Sequence, residues 1–260
     1  MRNYSKFLYA AAALLMVGLV LFISSVVNRD STSTHVLGDA PDFTAITDVN
    51  DKKASFFDYL TPSIAAENQR VEQEREKLIA IEKAFQADKI DGSDKKYAAK
   101  IADKYNAPLP KDGVTQIWLD EMLMKVNVLP KALVLTQAAN ESAWGTSRFA
   151  IEANNYFGQW CYQENCGLVP LKRVEGATHE VAKFSSVSES VHGYFMNVNR
   201  NAAYADLRKI RAQLSAQEED LLSQATAHKL TKGLLRYSER GQDYVNDLQS
   251  MIRANAQYWK

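Results

Sequence analysis

The chain has few cysteines and histidines and no excess of charge of either sign. Among its 260 residues there are 2 cysteines and 4 histidines, and 31 Lys and Arg residues balance 31 Asp and Glu residues. These thiols and imidazoles form no compact ligand set and no His-Glu-x-x-His motif, so we predict no metal site and no cofactor. Because the charges balance, no DNA or RNA partner is expected.

The long apolar run of the chain lies near its N-terminus. Residues 7–27 carry no charged side chain, and about 20 apolar residues are enough to cross a bilayer as a helix. Arg2 and Lys6 precede this run, so the positive-inside rule leaves residues 1–6 in the cytoplasm and exports the rest. We predict a single-pass membrane anchor at 7–27, with a cleaved signal peptide as the alternative.

The remaining chain divides into a linker, an extension and a main body. Residues 28–50 are rich in Ser, Thr and Asp and predict a flexible linker. Residues 51–113 have helical periodicity, which predicts an extension packed on the body, with a short helix before Pro62, a long helix from Ser63 to Phe85 and a third helix over 95–105. The main body then covers residues 114–260, and 46% hydrophobic content is ample for its core.

Strand signals are confined to one part of the main body. Residues 168–174 and 178–184, with a turn at 175–177, predict a small β-hairpin. Helices are expected on both sides of it, over 117–123, 130–140, 203–214, 218–229 and 243–258, and from Ser185 or Ser186 through Val198. The predicted fold is therefore mainly α, with one small β-hairpin and a preceding N-terminal transmembrane helix.

One acidic residue, Glu141, stands at the end of the helical run over 130–140. Its spacing from Val134 and Gln137 places it on a face that should point inward, and a cap at Gly145 would put it in the last helical turn. Burial and the negative end of the helix dipole both raise a carboxyl pKa, as a general acid requires, and Trp144 could supply an apolar wall. The alternative is a partly exposed glutamate that ends an ordinary helix.

The residues around Glu141 resemble a family signature. The sequences AANESAWGTS at Ala138–Ser147 and NNYFG at Asn154–Gly158 are similar to those of the glucosaminidases of glycoside hydrolase family 73. The resemblance runs from Lys52 to the C-terminus, and residues 52–62 and the cysteine pair are similar to the Bax-type branch of Gram-negative bacteria. It implies a lysozyme-like helical domain that cleaves peptidoglycan strands after N-acetylglucosamine. With the predicted anchor, the expected location is the inner membrane with the catalytic body in the periplasm, or the periplasm alone if the N-terminal segment is cleaved.

The resemblance also implies roles for single residues. Glu141 takes the position of the family's acid, Tyr237 that of an active-site tyrosine, and Tyr244 that of a packing residue. A second carboxylate is expected in the hairpin, but the family's Thr-x-Glu-Tyr pattern is absent, which leaves Glu175 and Glu180 as candidates. Either glutamate could instead face solvent, at a turn or on a strand, and the acetamido group of the substrate would then assist the reaction.

Further residues near Glu141 are predicted to form the substrate site. The predicted substrate-binding residues are Trp144, Asn155, Tyr156, Phe157 and Trp160, and we expect Phe157 to lie inside the protein and Trp160 to be partly exposed. Cys161 and Cys166 are spaced for a small disulfide-closed loop, which an exported protein would keep and which would stiffen the cleft beside it.

Two other functions compete with glucosaminidase activity. Lytic transglycosylases and muramidases also place Glu-Ser at a helix end, but they typically continue to Gly-Leu-Met-Gln, whereas this chain has Tyr156–Trp160, YFGQW. A noncatalytic wall-binding protein is the second alternative, and the absent hairpin motif favours it.

Overall fold

The computed structural model describes residues 39–171, 173, 176 and 178–259. The predicted anchor at 7–27 and most of the linker lie outside these residues. None of the helices in the described part of the chain is long and apolar enough to cross a bilayer. All described residues belong to one compact unit.

Helices dominate the described residues. The α-helices are α1 (Val49–Gln86), α2 (Gly92–Lys104), α3 (Gln116–Lys125), α4 (Lys131–Ser142), α5 (Arg148–Ala153), α6 (Val187–Arg200), α7 (Ala205–Ala216), α8 (Gln224–Leu230) and α9 (Gln242–Ala254). Short 3-10 segments follow at Ala202–Tyr204, Thr231–Leu234 and Ala256–Tyr258. The strands are β1 (Trp160–Cys161), β2 (Gly167–Leu168) and β3 (Glu180–Ala182). The prediction of a mainly α protein is therefore confirmed.

Helix α1 is one continuous helix, and the predicted break at Pro62 was wrong. A proline inside a helix removes one hydrogen bond and costs about 3 kcal/mol. The residues on either side of it, Phe57, Leu60 and Ile64, are buried against the rest of the protein. Burial of each such side chain contributes about 1.5 to 3 kcal/mol, so packing offsets the cost of the proline.

Helix α4 is the buried central helix of the body. Its residues Leu133, Val134, Leu135 and Ala138 have no exposed surface, and α1, α8 and α9 pack around it. A helix enclosed in this way has little freedom to move, so a side chain in its last turn is held in a fixed position.

The sheet is small and has three strands rather than the two predicted. Strand β3 lies in the middle and pairs antiparallel with both β1 and β2. The predicted hairpin pairing is present between β2 and β3, but β2 ends at Leu168, so the first strand is much shorter than the predicted 168–174 among the described residues. Strand β1 was missed because two residues are too few to show alternation. Gly167 permits the close pairing, since a Cβ there would lie 1.9 Å from the carbonyl oxygen of Val181.

Helix α6 follows the sheet and joins it to α1. The hydroxyl of Ser186 accepts a hydrogen bond from the backbone N–H of Glu189 and so caps the helix, one of the two caps that the sequence predicted. The hydroxyls of Ser188 and Ser63 are 2.8 Å apart, across the contact between α6 and α1. The N-terminal helices thus pack directly on the body.

Candidate active site

Glu141 lies in the last turn of α4, at the point where the chain makes a tight left-handed turn. The helix ends at Ser142, and Ala143, Trp144 and Gly145 have φ angles of 50°, 59° and 78°. The C-terminal cap is therefore Ala143, two residues before the predicted cap at Gly145. Gly145 is still required in this turn, because a Cβ there would lie 2.3 Å from the Phe43 ring.

A directed chain of hydrogen bonds orients the Glu141 carboxyl. Tyr194 donates its hydroxyl hydrogen to Oε1 of the buried Gln137, whose Nε2 donates to the Tyr244 hydroxyl oxygen at 3.0 Å. Tyr244 in turn donates to Oε1 of Glu141 at 2.9 Å, and Nδ2 of Asn140 donates to the same oxygen at 3.2 Å. Because Oε1 accepts two hydrogen bonds, the proton of the neutral acid belongs on Oε2.

The second carboxyl oxygen, Oε2, lies beside a glycine of the family motif. A Cβ built on Gly158 would be 3.9 Å from Oε2, and Gly158 has a φ of 63°. The absence of a side chain at this position leaves room for a substrate atom next to the acid.

Burial raises the pKa of Glu141 above its ordinary value, although the hydrogen bonds from Tyr244 and Asn140 partly oppose the effect. The side chain is partly buried rather than enclosed, so it is poorly hydrated and still reachable. A carboxyl of this kind can hold a proton at a pH where an exposed glutamate has lost it, which suits a general acid.

Glu141 opens into a cleft of about 720 Å³. The residues that line it are Glu141, Phe157, Gly158, Gln159, Trp160, Tyr162, Ala182, Phe184, Gly193, Asn197, Arg200, Asn201, Tyr204, Arg236 and Tyr237. Amides, aromatic rings and one carboxyl dominate this lining. Such a surface offers hydrogen bonds to sugar hydroxyls and flat faces to sugar rings.

Two of the predicted substrate-binding residues, Phe157 and Trp160, lie in the cleft. Phe157 is buried and stacks on Tyr194 with ring centroids 4.2 Å apart. Trp160 is 56% exposed and stacks on His179 at 4.2 Å, which leaves its other face open. The predicted burial of Phe157 and exposure of Trp160 are confirmed.

Trp144 does not form the apolar wall that the sequence predicted for Glu141. Its ring packs edge-on against Phe56 and Phe57 of α1, at 5.7 and 5.3 Å. The left-handed turn after α4 directs the tryptophan away from the cleft, toward the N-terminal helix. Trp144 therefore anchors the turn that follows Glu141.

Asn155 and Tyr156 are also outside the cleft lining, contrary to prediction. Asn155 is 1% exposed, and its Nδ2 donates to the carbonyl oxygens of Gln159 and Ala182 at 2.9 and 2.8 Å. Tyr156 is buried against Phe56 of α1. Both residues shape the loop that carries Phe157 and Trp160 and do not face a ligand.

Tyr237 and Tyr244 stack on each other, with centroids 5.4 Å apart and planes 5° from parallel. Tyr237 lines the cleft and donates its hydroxyl hydrogen to the carbonyl oxygen of Phe157 at 2.9 Å. Tyr244, predicted to be a packing residue only, is the tyrosine that contacts Glu141. Burial raises the pKa of both phenols, so both remain hydrogen-bond donors. The buried amide of Gln137, four residues before Glu141, bonds to the same tyrosine.

Glu180, a candidate second carboxylate, supports the sheet. It is 8% exposed, and its carboxylate accepts hydrogen bonds from the backbone N–H groups of Asn165 and Gly167 at 3.3 and 2.8 Å. Glu180 therefore neither lines the cleft nor faces water, the alternative considered for it, because these amides hold it inside the loop between β1 and β2. Glu175 lies outside the described residues. Among the described residues that line the cleft, Glu141 is the one carboxylate.

Cys161 and Cys166 form the predicted disulfide. It closes the loop between β1 and β2, directly beside Trp160 and Tyr162 of the cleft. The two sulfurs and the Glu180 carboxylate lie within 4.8 Å of one another. Sulfurs joined in a disulfide have no thiolate to offer a metal ion.

Five polar residues of the cleft were not predicted from the sequence, namely Gln159, Asn197, Arg200, Asn201 and Arg236. They come from the loop before β1, from the end of α6 and from the segment before Tyr237. Segments so far apart in the chain carry no shared spacing, and only the fold brings them together.

Comparison with known proteins gives two matches. Residues 118–257 match the glucosaminidase family model, described as mannosyl-glycoprotein endo-beta-N-acetylglucosaminidase. The chain is also 33% identical over 228 residues to Protein bax of Escherichia coli (strain K12), covering 88% of this chain and 77% of that protein. No solved structure matches. The matched segment contains Glu141, the cleft and both stacked tyrosines, and the chain belongs to the glucosaminidase family.

Proposed function

We propose that the protein is a peptidoglycan hydrolase that cleaves the β-1,4 bond after N-acetylglucosamine, with Glu141 as general acid. The observation that carries the proposal is a carboxyl with a raised pKa, oriented by Tyr244, at the base of an open cleft lined by amides and aromatic rings. The family model supports a glycan hydrolase in general. The buried helix that ends in the acid and the small sheet beside the cleft support a lysozyme-like domain over 114–260.

In the proposed first step, Oε2 of Glu141 gives its proton to the glycosidic oxygen as the bond from that oxygen to C1 breaks. A developing positive charge at C1 needs an electron donor on the opposite face of the sugar. We propose that the carbonyl oxygen of the substrate's own acetamido group attacks C1, because the described cleft lining offers one carboxylate only.

In the second step, the Glu141 carboxylate takes a proton from water while the water oxygen attacks C1 and releases the acetamido oxygen. Glu141 thereby regains its proton, and the product keeps the anomeric configuration of the substrate. Tyr244 stabilises the carboxylate between the two steps by its hydrogen bond to Oε1. The exposed face of Trp160 and the side chain of Tyr162 are placed to stack on sugar rings.

For its location, we propose a membrane anchor at 7–27, a linker at 28–50 and a body in the periplasm. The disulfide between Cys161 and Cys166 supports export, because such bonds persist in oxidising compartments. The helices over 51–113 pack on the catalytic domain and belong to the exported part.

The test is a digest of purified peptidoglycan by the full-length protein, followed by mass spectrometry of the new sugar ends. Reducing N-acetylglucosamine ends are expected from the wild type and not from Glu141→Gln. Anhydromuramic ends would instead assign a lytic transglycosylase. Cosedimentation with peptidoglycan without any new ends would assign a noncatalytic wall-binding protein.

A further inference from the structure

Two arginines of the cleft, Arg200 and Arg236, stand apart from the other described arginines. Their guanidinium groups make no hydrogen bond or ion pair with any described residue, and both side chains are exposed. Every other described arginine has such a partner. The partnered arginines are Arg70, Arg75, Arg148, Arg173, Arg208, Arg211, Arg240 and Arg253.

The charge of the cleft is therefore positive, although the whole chain is balanced at 31 basic and 31 acidic residues. The described lining contains one carboxylate, Glu141, and the raised pKa of that group favours its neutral form. Two arginines without a partner among the described residues, in a concave site, attract anions more strongly than they would on a flat surface. An arginine fork fits a carboxylate with two parallel hydrogen bonds.

N-acetylglucosamine and its homopolymers carry no charge, so they offer these arginines no anionic group to pair with. The anionic groups of a peptidoglycan strand are carboxylates attached through the lactyl ether of the muramic acid sugar. They belong either to the peptide stem or, where the stem has been removed, to the lactyl group itself.

Resting on the proposed function, we infer that Arg200 and Arg236 form a carboxylate-binding subsite that recognises the acidic substituent of the muramic acid unit. The cleft therefore selects peptidoglycan over uncharged N-acetylglucosamine polymers. Trp160 and Tyr162 contact the sugar rings. The two arginines bind the acidic substituent that muramic acid carries and N-acetylglucosamine lacks.

The test measures binding by calorimetry with the full-length protein carrying Glu141→Gln, so that hydrolysis does not interfere. Three tetrasaccharides are compared: peptidoglycan with its peptide stems, the same glycan without stems, and chitotetraose. We expect the stem-bearing ligand to bind about tenfold or more tighter than chitotetraose, since each charged hydrogen bond is worth about tenfold in affinity. Raising the salt concentration should weaken this preference, because salt screens exposed charges.

Arg200→Gln and Arg236→Gln should each reduce the preference and the double variant should abolish it, with chitotetraose affinity unchanged. Arg253→Gln is the matched control, because it removes an exposed arginine outside the cleft and should leave the preference intact. If the stem-free glycan binds as tightly as the stem-bearing one, the arginines bind the lactyl carboxylate. If only the stem-bearing glycan binds tightly, they bind a carboxylate of the peptide stem.

Equal affinity for all three ligands, or a preference that survives the double variant, would overturn the subsite. Cleavage of peptidoglycan by the wild type in that case would leave the proposed function standing. Absence of both binding and cleavage would instead refute the proposed function together with the subsite.

Discussion

Replacing Tyr244 by phenylalanine removes one buried hydroxyl group that contacts Glu141. In the wild type this hydroxyl donates to Oε1 of Glu141 and accepts from Nε2 of Gln137. The ring stays in place against Tyr237, so the change is confined to the two hydrogen bonds.

The sign of the effect on the pKa follows from the direction of the first hydrogen bond. Tyr244 stabilises the charged form of Glu141 and lowers its pKa, against the larger opposite effect of burial. Without the hydroxyl, the pKa of Glu141 rises further. A hydrogen bond to a charged group is worth about 1.5 to 3 kcal/mol, so its loss should raise the pKa of Glu141 far enough to be seen in a pH profile.

The loss of the second hydrogen bond affects stability. Gln137 is fully buried, and its Nε2 would have no acceptor, which costs about 1 to 3 kcal/mol at every pH. The raised pKa of Glu141 also makes the free energy of unfolding depend on pH. Its stabilising effect is complete below the ordinary pKa of glutamate and disappears as the pH rises through the folded-state pKa, which lies higher in the variant.

The assay is the pH profile of kcat/KM on soluble peptidoglycan fragments, with thermal unfolding measured in parallel. Activity requires protonated Glu141, so the alkaline limb of the Tyr244→Phe profile should move to higher pH, while the rate at the optimum falls about tenfold because the carboxyl is less well oriented. Tyr237→Phe is the matched control. It removes the hydroxyl of the ring that stacks on Tyr244. That hydroxyl bonds to the Phe157 carbonyl, so its loss should leave the alkaline limb in place. An unchanged or lowered limb in Tyr244→Phe would refute the hydrogen-bond argument.

Three further changes test the site. Glu141→Gln should reduce cleavage at least about a hundredfold, as is typical for loss of a general acid, without lowering the unfolding temperature; activity near that of the wild type would remove Glu141 from the mechanism. Gly158→Ala should lower kcat and cost about 1 to 2 kcal/mol of stability, because it places a methyl group 3.9 Å from Oε2 in a left-handed conformation; kinetics like those of the wild type would mean that substrate does not approach this oxygen. Replacing both Cys161 and Cys166 by serine should raise KM more than it lowers kcat, because it loosens the part of the cleft that carries Trp160. An unchanged KM would show that this part of the cleft does not bind substrate.

Most helices and the position of Glu141 in the last turn of α4 could be predicted from local patterns. Apolar spacing located most helices, and the signature around Glu141 identified the candidate acid. The break at Pro62 was predicted wrongly because a local rule about proline takes no account of the burial of Phe57, Leu60 and Ile64 against the body. Tertiary packing overrides the local preference there.

The contacts of the acid could not be predicted, because they join distant segments. Tyr244 is 103 residues from Glu141 and Phe157 is 80 residues from Tyr237, and no spacing in the sequence connects such pairs. Trp144 was assigned to the cleft because it is close to Glu141 in sequence. The left-handed turn between them reverses its direction, and such a turn at Ala143 and Trp144 is not encoded by glycine.

The packing of Trp144 determines where the chain can be cut. The family match begins at residue 118. Trp144 of its signature nevertheless packs against Phe56 and Phe57, which precede that boundary in the chain. A fragment that starts at the family boundary would lose both phenylalanine rings that contact Trp144, three residues after Glu141. Recombinant production, domain exchange and gene fusion should therefore keep everything from Pro41 onward, because Phe43 packs on Gly145 and Phe56 and Asp48 caps α1, and the minimal folded unit begins well before the family match.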